Sequence, residues 1–288
     1  MTAAAVDAVV RDALEEDAPW GDITSELLIP PGVQATARLV ARESGVLSGG
    51  GVFAAAMLAV DPAIEVHLAA ADGTRFAEGE VLATVRGSAH AVLRAERVGL
   101  NLVQRLSGIA TETARYVSEV VGTSARIVDT RKTTPGLRVL ERHAVRCGGG
   151  HNHRFSLSDA VLAKDNHLAV LASQGIGVTE ALLGLRARLS HTTHLEVEVD
   201  RADQIEAVLA GGVDTIMLDN FTLAELREGV AQVAGRAMIE ASGNVSLATV
   251  RAIALTGVDI ISVGALTHSV RSLDLGLDVD IDVPADVS

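Results

Sequence analysis

From about residue 125 onward this chain repeats one event: a short apolar run that closes on polar or small residues, most often followed by a stretch with helical spacing. The runs lie at 126–130, 160–165, 195–199, 215–219, 237–240 and 259–263, and helical patterns follow at 202–210, 223–233 and 246–256. The later run ends, Glu198, Asp219, Glu240 and Gly264, are spaced 21, 21 and 24 residues apart. That interval holds one strand and one returning helix, so the series predicts a parallel sheet covered by helices. A doubly wound sheet would satisfy the same spacing. Two features favour a barrel. No Gly-x-Gly-x-x-Gly follows a first strand, and polar residues close nearly every strand, as when all strands converge on one mouth.

The first part of the chain has a different grammar. Residues 4–16 carry apolar positions at helical spacing, and 16–24 break that helix with Pro19, Gly21 and a run of acids. The only tryptophan, Trp20, reads there as a packed loop anchor. Strands are expected at 35–41, 63–68 and 81–85, with a helix at 53–60 and turns at Asp72-Gly73 and Glu78-Gly79. This pattern predicts a small α+β module. One long helical pattern occupies 90–119, with Gly108 expected to interrupt or cap it. The alternating tail from 272 reads as an extra strand that returns to the small module. The expected domains are 1–110, 111–268 and a returning segment 269–288.

Composition narrows the function. Hydrophobic residues make up 48% and aromatics 2%, so the core must rest on Ala, Val, Leu and Ile. A formal charge of −13 argues against nucleic acid and anionic membranes as partners. The longest apolar runs fall short of a membrane span. The single cysteine, Cys147, excludes an internal disulfide framework, and the acidic N-terminal stretch lacks the pattern of a signal peptide. A cytoplasmic location is expected.

Against that acidic background four features look chemical. The chain has only two lysines, Lys132 and Lys164, and both fall at expected strand ends. Such retention suits positions that need a compact ammonium and not a planar fork. Second, Arg131, Lys132, Arg138, Arg142, His143, Arg146, His151, His153 and Arg154 crowd one segment around Gly148-Gly149-Gly150, with Glu141 the only acid between Asp129 and Asp159. Such a segment suits carboxylates and phosphates. Third, Glu196, Glu198 and Asp200 alternate and share a strand face. Glu198 is the candidate for the interior, whereas Glu196 and Asp200 read as solvated or salt-bridged. With Asp219 and Glu240 at the next strand ends, the set suggests Mg²⁺. Zinc is poorly supported, since only His151 and His153 have a ligand-like spacing. Fourth, Ser242-Gly243-Asn244 and Val263-Gly264-Ala265 are strand-to-helix junctions of small residues, and two such late junctions are a usual phosphate site in barrels.

These parts describe a metal-assisted transfer at a phosphorylated sugar. A Schiff-base role for Lys164 in an aldolase-like barrel, and a non-catalytic binding protein on this scaffold, stay open at this level.

The run Asp129-Thr130-Arg131-Lys132-Thr133-Thr134-Pro135-Gly136-Leu137-Arg138 resembles that of the quinolinate phosphoribosyltransferases. So do Gly149-Gly150-His151-Asn152-His153-Arg154, Lys164-Asp165-Asn166-His167, Glu196-Val197-Glu198-Val199, Met217-Leu218-Asp219-Asn220 and Glu240-Ala241-Ser242-Gly243. The resemblance covers nearly the whole chain in order. It implies an incomplete α/β barrel of six to seven parallel strands joined to a small α/β sandwich domain. It also implies a homodimer, or a hexamer built from dimers, with Arg97 reaching a neighbouring active site.

By the same resemblance Arg131, His153, Arg154 and Lys164 line a quinolinate pocket, with Thr130 in the same motif and Lys132 close to both substrates. Glu198 and Asp219 hold Mg²⁺ and the ribose of phosphoribosyl pyrophosphate. Ser242, Gly243 and Asn244, with Val263, Gly264 and Ala265, hold its 5-phosphate. Lys132, Lys164, Glu198 and Asp219 are the expected catalytic residues. The implied products are nicotinate mononucleotide, pyrophosphate and CO₂. A relative that uses nicotinate is the nearest alternative. Asn244 stands where the family commonly has a second glycine.

Overall fold

A computed structural model describes residues 1–282 and divides the chain into two units. The first comprises Met1–Ala114, Thr133–Gly149 and the segment from Ser269, and the second comprises Arg115–Lys132 and Gly150–His268. Segment Thr133–Gly149 thus groups with the first unit, whereas the sequence reading assigned 111–268 whole to the barrel.

The chain opens with α1 (Ala3–Asp17), α2 (Ile23–Leu28), β1 (Gln34–Ala41), β2 (Gly45–Val46) and α3 (Gly50–Val60). Then come β3 (Glu65–Leu68), β4 (Arg75–Phe76), β5 (Val81–Ser88) and α4 (Ala89–Glu119). The next elements are β6 (Arg126–Val128), α5 (Arg138–Cys147), β7 (Val161–Ala163), α6 (Asp165–Ser173) and α7 (Val178–Arg186). After them lie β8 (Leu195–Val199), α8 (Ile205–Ala210), β9 (Thr215–Asp219), α9 (Leu223–Val233) and β10 (Met238–Ser242). The last are α10 (Leu247–Ala254), β11 (Ile260–Ser262), α11 (Ala265–His268) and β12 (Leu275–Asp282).

In the first unit an antiparallel sheet runs in the order β12-β1-β5-β3. The period-2 pattern of β1 buries Ala35, Ala37, Leu39 and Ala41 and leaves Gln34 and Arg38 exposed. β12 pairs with β1 from Gln34↔Asp282 to Ala41↔Leu275. Residues 283–288 of the expected returning segment lie outside the described residues. The sheet packs with α3 and α4 around Phe53, Met57, Leu82, Val92 and Val103, a mainly aliphatic core in keeping with the few aromatics.

Two expectations for this unit fail. Gly108 neither interrupts nor caps α4, which is continuous from Ala89 to Glu119. The glycine is there for close approach: a Cβ on it would meet the Arg271 carbonyl oxygen at 2.2 Å. Trp20 is not a packed anchor either. It is 91% exposed, as Ile23, Leu27 and Leu28 are largely exposed beside it in sequence.

The second unit holds a six-stranded sheet in the order β6-β11-β10-β9-β8-β7, with every neighbouring pair parallel. The first strand of the unit pairs with its last, and the rest follow in sequence. That cyclic order belongs to a barrel; a doubly wound sheet reverses direction at an internal switch point. No ladder joins β6 to β7 among the described residues, so the barrel is incomplete there. On the open side of β6, His151 makes a parallel bridge to Val128, donating its N–H to the Ile127 carbonyl at 2.8 Å.

Strand register sorts the side chains. Val197, Val199, Ile216, Leu218, Ile239, Ala241 and Ile261 form one face, buried and wholly apolar. The other face is continuous from strand to strand: Glu198 opposes Met217, Met217 opposes Glu240, Asp219 opposes Ser242. All the chemistry therefore falls on one side of the sheet.

Candidate active site

A cavity of about 390 Å³ opens on that polar face. Its lining includes Thr130, Arg131, Lys132, His153, Arg154, Lys164, Glu198, Asp219 and Ser242, all expected from sequence. Leu162, Met217, Glu240 and Ser262 join them. Glu240 is expected from sequence as one of the strand-end carboxylates; Leu162, Met217 and Ser262 are not, although the alternation that places Glu198 inward carries Met217 with it through the register.

Of the other expected residues, Gly243, Asn244, Val263, Gly264 and Ala265 are not in the lining. They follow lining residues Ser242 and Ser262 directly in the chain. Arg97 is exposed on α4 in the first unit.

Each cation has a distinct local support. Lys164 follows β7 and precedes α6, its backbone N–H donating to His167 Nδ1 at 2.9 Å. Its Nζ donates to Glu198 Oε2 at 2.6 Å. That contact with a carboxylate, in a cavity where Arg131, Lys132 and Arg154 also gather, suits the handling of anions better than the aldolase reading. Arg154 donates through Nη1 to the Ala160 carbonyl at 3.0 Å. Arg131 differs: its Nε is buried and has no hydrogen-bond partner among the described residues. An unpaired guanidinium nitrogen costs about 1–3 kcal/mol or more, a cost that an acceptor arriving with a ligand would relieve.

The loop carrying His153 is set by Asp129, which is fully buried at the end of β6. Asp129 accepts from Asn152 Nδ2 at 2.6 Å and from the His153 N–H at 2.8 Å. His153 Nε2 then lies 3.1 Å from Glu196 and 3.5 Å from Glu240. Of the two roles expected for Glu196, solvated or salt-bridged, its 4% exposure and its contact with His153 select the second; Asp200 is the exposed member of that series. Burial alone would lower the His153 pKa, but the two carboxylates outweigh it and raise it to about 10. Burial raises the Glu196 pKa as well, helped by the neighbouring Glu240 charge. The Arg154 N–H donates to His153 Nδ1 at 2.7 Å, which places the ring proton on Nε2 and opposes a second one. Both shifts have the same direction: the trio retains a proton that the separated groups would have released.

At the β9 and β10 ends, Asn220 donates through Nδ2 to Asp219 at 2.7 Å and accepts from Asn244 Nδ2 at 3.2 Å. Gly243 has φ +94°, and a Cβ there would meet Asn220 Oδ1 at 2.2 Å. Asn244 has φ 50°, a left-handed conformation that asparagine tolerates, which explains how it replaces glycine.

Glu198 and Asp219 lie on one face of adjacent strands and offer the oxygen donors that a hard divalent cation selects. The cavity thus combines clustered cations for anionic groups with two carboxylates suited to sugar hydroxyls or Mg²⁺.

Residues 22–107 match the model of the quinolinate phosphoribosyl transferase N-terminal domain, and residues 109–278 match that of its C-terminal domain. The chain is 45% identical over 279 residues to the nicotinate-nucleotide pyrophosphorylase [carboxylating] of Mycobacterium leprae, covering 94% of this chain and 95% of that protein. It is 38% identical to quinolinate phosphoribosyltransferase [decarboxylating] 1b of Nicotiana tabacum, covering 97% and 83%. Its fold is similar to the crystal structure of NadC from Streptococcus pyogenes, with TM-score 0.92, 38% identity and coverage of 98% and 99%.

Proposed function

The chain belongs to the quinolinate phosphoribosyl transferase family, and from that premise we propose that its barrel cavity binds quinolinate and phosphoribosyl pyrophosphate and joins them with loss of CO₂. The observation that carries the reading is the convergence of Arg131, Lys132, Arg154 and Lys164 in one cavity, with Arg131 Nε buried and lacking an acceptor among the described residues.

In this reading Arg131 and Arg154 face the two ring carboxylates, for which a planar guanidinium is well shaped. His153, held through Nε2 by its carboxylates, fixes the floor of the pocket. The ring nitrogen attacks the anomeric carbon as pyrophosphate departs. Glu198 and Asp219 accept from the ribose hydroxyls and stabilise the positive charge that develops on the sugar. Lys132 and Lys164 neutralise the anionic groups. When the 2-carboxylate leaves as CO₂, the electron pair left on C2 is stabilised by the adjacent positive ring nitrogen and takes up a proton from water, so the product keeps its pyridinium ring. Ser242–Asn244 and Val263–Ala265 receive the 5-phosphate.

Glu198 and Asp219 would also hold Mg²⁺, which supplies charge neutralisation at the diphosphate. Because Lys164 already pairs with Glu198, the ion is expected to be bound largely through the substrate's own phosphates.

We further propose a homodimer or a hexamer of dimers in which Arg97 serves a neighbouring cavity. Support comes from the exposed Trp20, Ile23, Leu27 and Leu28, apolar surface of the kind that a second subunit covers. No single helix among the described residues is long and apolar enough to cross a membrane, and with one cysteine a cytoplasmic setting fits.

The test is turnover with quinolinate, phosphoribosyl pyrophosphate and Mg²⁺, following nicotinate mononucleotide and CO₂, with nicotinate as a parallel substrate. Product from quinolinate only, abolished by EDTA, is the expected result. Turnover of nicotinate instead would overturn the assignment of Arg131 and Arg154 to two carboxylates.

A further inference from the structure

A second cluster of ligand-type side chains lies in the first unit and shares no residue with the cavity lining. His143 and Cys147 are four residues apart on α5, one turn on the same helix face. Asp72 comes from the turn between β3 and β4. His143 Nε2 is 2.7 Å from Asp72 Oδ2 and 3.4 Å from Cys147 Sγ. One ligand atom from each of the three lies within 4.8 Å of the others. All three side chains are partly buried.

We propose that Asp72, His143 and Cys147 bind a divalent d-block cation, Zn²⁺ in the first instance. The donor set is one thiolate, one imidazole and one carboxylate. That mixture suits a borderline-soft ion, and it excludes Mg²⁺ and Ca²⁺, which select oxygen. Three protein ligands leave a fourth position for water, the arrangement of an open zinc site.

The carboxylate is preorganised. Asp72 accepts the N–H of Gly49 at 3.1 Å and of Gly50 at 2.9 Å, at the start of α3. These contacts orient the ligand from behind, as outer-shell partners do in metal sites. Metal bonds of about 2.0–2.3 Å require the 2.7 Å nitrogen–oxygen pair to open by some tenths of an ångström, within reach of a carboxylate rotation.

A nucleophilic triad is the competing reading, and the geometry argues against it. A relay places the carboxylate on one ring nitrogen and the nucleophile on the other. Here both Asp72 and Cys147 face the same Nε2, the disposition of ligands around a common centre.

The single cysteine makes the test specific. Full-length protein stripped of metal is titrated with Co²⁺ while its absorption spectrum is followed. A thiolate-to-cobalt charge-transfer band can arise only from Cys147. The expected result is a band that saturates at one ion per chain, is displaced by Zn²⁺ and is absent from Cys147→Ser. His143→Gln and Asp72→Asn should each need at least about tenfold more Co²⁺. Circular dichroism checks that each variant is folded, and if one is not, the other carries the comparison. No band in the wild-type protein overturns the site. A band undiminished in both His143→Gln and Asp72→Asn also overturns it, because the thiol would then be binding alone.

Discussion

Lys164 and Glu198 show what a residue count can and cannot reveal. Two lysines in 288 residues marked positions that resist replacement by arginine, and both line the cavity. Their partners were not legible, because the Lys164–Glu198 contact spans 34 residues. We expect Glu198→Gln to lower kcat/KM by about 10²-fold or more with the fold retained, measured by steady-state kinetics alongside circular dichroism. The His153 trio makes a stability prediction. His153→Ala leaves Glu196 and Glu240 buried without their partner and should cost about 3–5 kcal/mol in urea unfolding. The pH dependence follows from the raised values. The folded trio binds more protons than the unfolded chain between the ordinary histidine value of 6.5 and about 10. Its contribution is therefore complete below 6.5 and is lost as pH rises toward 10. Unfolding free energy should decline over that window in the wild-type protein and less so in His153→Ala. A flat profile from pH 7 to 10 would contradict the assignment.

At the scale of elements, helices and strands were legible where a period is long and unbroken. The helix expected at 223–233 is α9; Thr222 caps it, and Glu225 reaches back to the Thr222 N–H at 2.8 Å to complete a capping box. Gly108 was misread because its reason lies 163 positions away, at the Arg271 carbonyl. Helix propensity alone predicts that Gly108→Ala gains about 1 kcal/mol. A 2.2 Å contact with backbone cannot be relieved by a side-chain rotation, so packing should win. We expect Gly108→Ala to lower the melting temperature, and a rise would show that Arg271 moves freely. The cationic segment was also only half legible. Glu141 is fully buried and pairs with Arg105 at 2.7 Å, while its Oε2 accepts the Thr134 N–H at 3.1 Å. The one acid in that run thus anchors α5 and pairs with Arg105 of α4.

At the scale of the molecule, the proposed assembly yields two predictions. Replacing Leu27 and Leu28 with Asp puts charge into the exposed apolar patch and should give monomers by light scattering, with the secondary structure unchanged. If each cavity borrows Arg97 from a neighbour, Arg97→Ala and Lys164→Ala proteins should both be nearly inactive alone. Mixing them under exchange conditions should restore part of the activity, because hybrid dimers hold one intact cavity. No recovery in proven hybrids would place Arg97 in service of its own chain.

Local grammar determined much of this protein. The 21- to 24-residue spacing of polar strand ends dictated parallel βα units, and alternation within 195–199 dictated that Glu196 and Glu198 share a face. Both follow from the fixed periods of helix and strand, which any reader of the chain can apply. Tertiary structure decided what those periods cannot encode: that the first barrel strand pairs with the last, that Glu196 turns to His153 instead of water, and that Asp72 meets His143 and Cys147. These contacts join residues tens of positions apart, and burial sets their strength. Burial is a property of the packed chain and has no local signature.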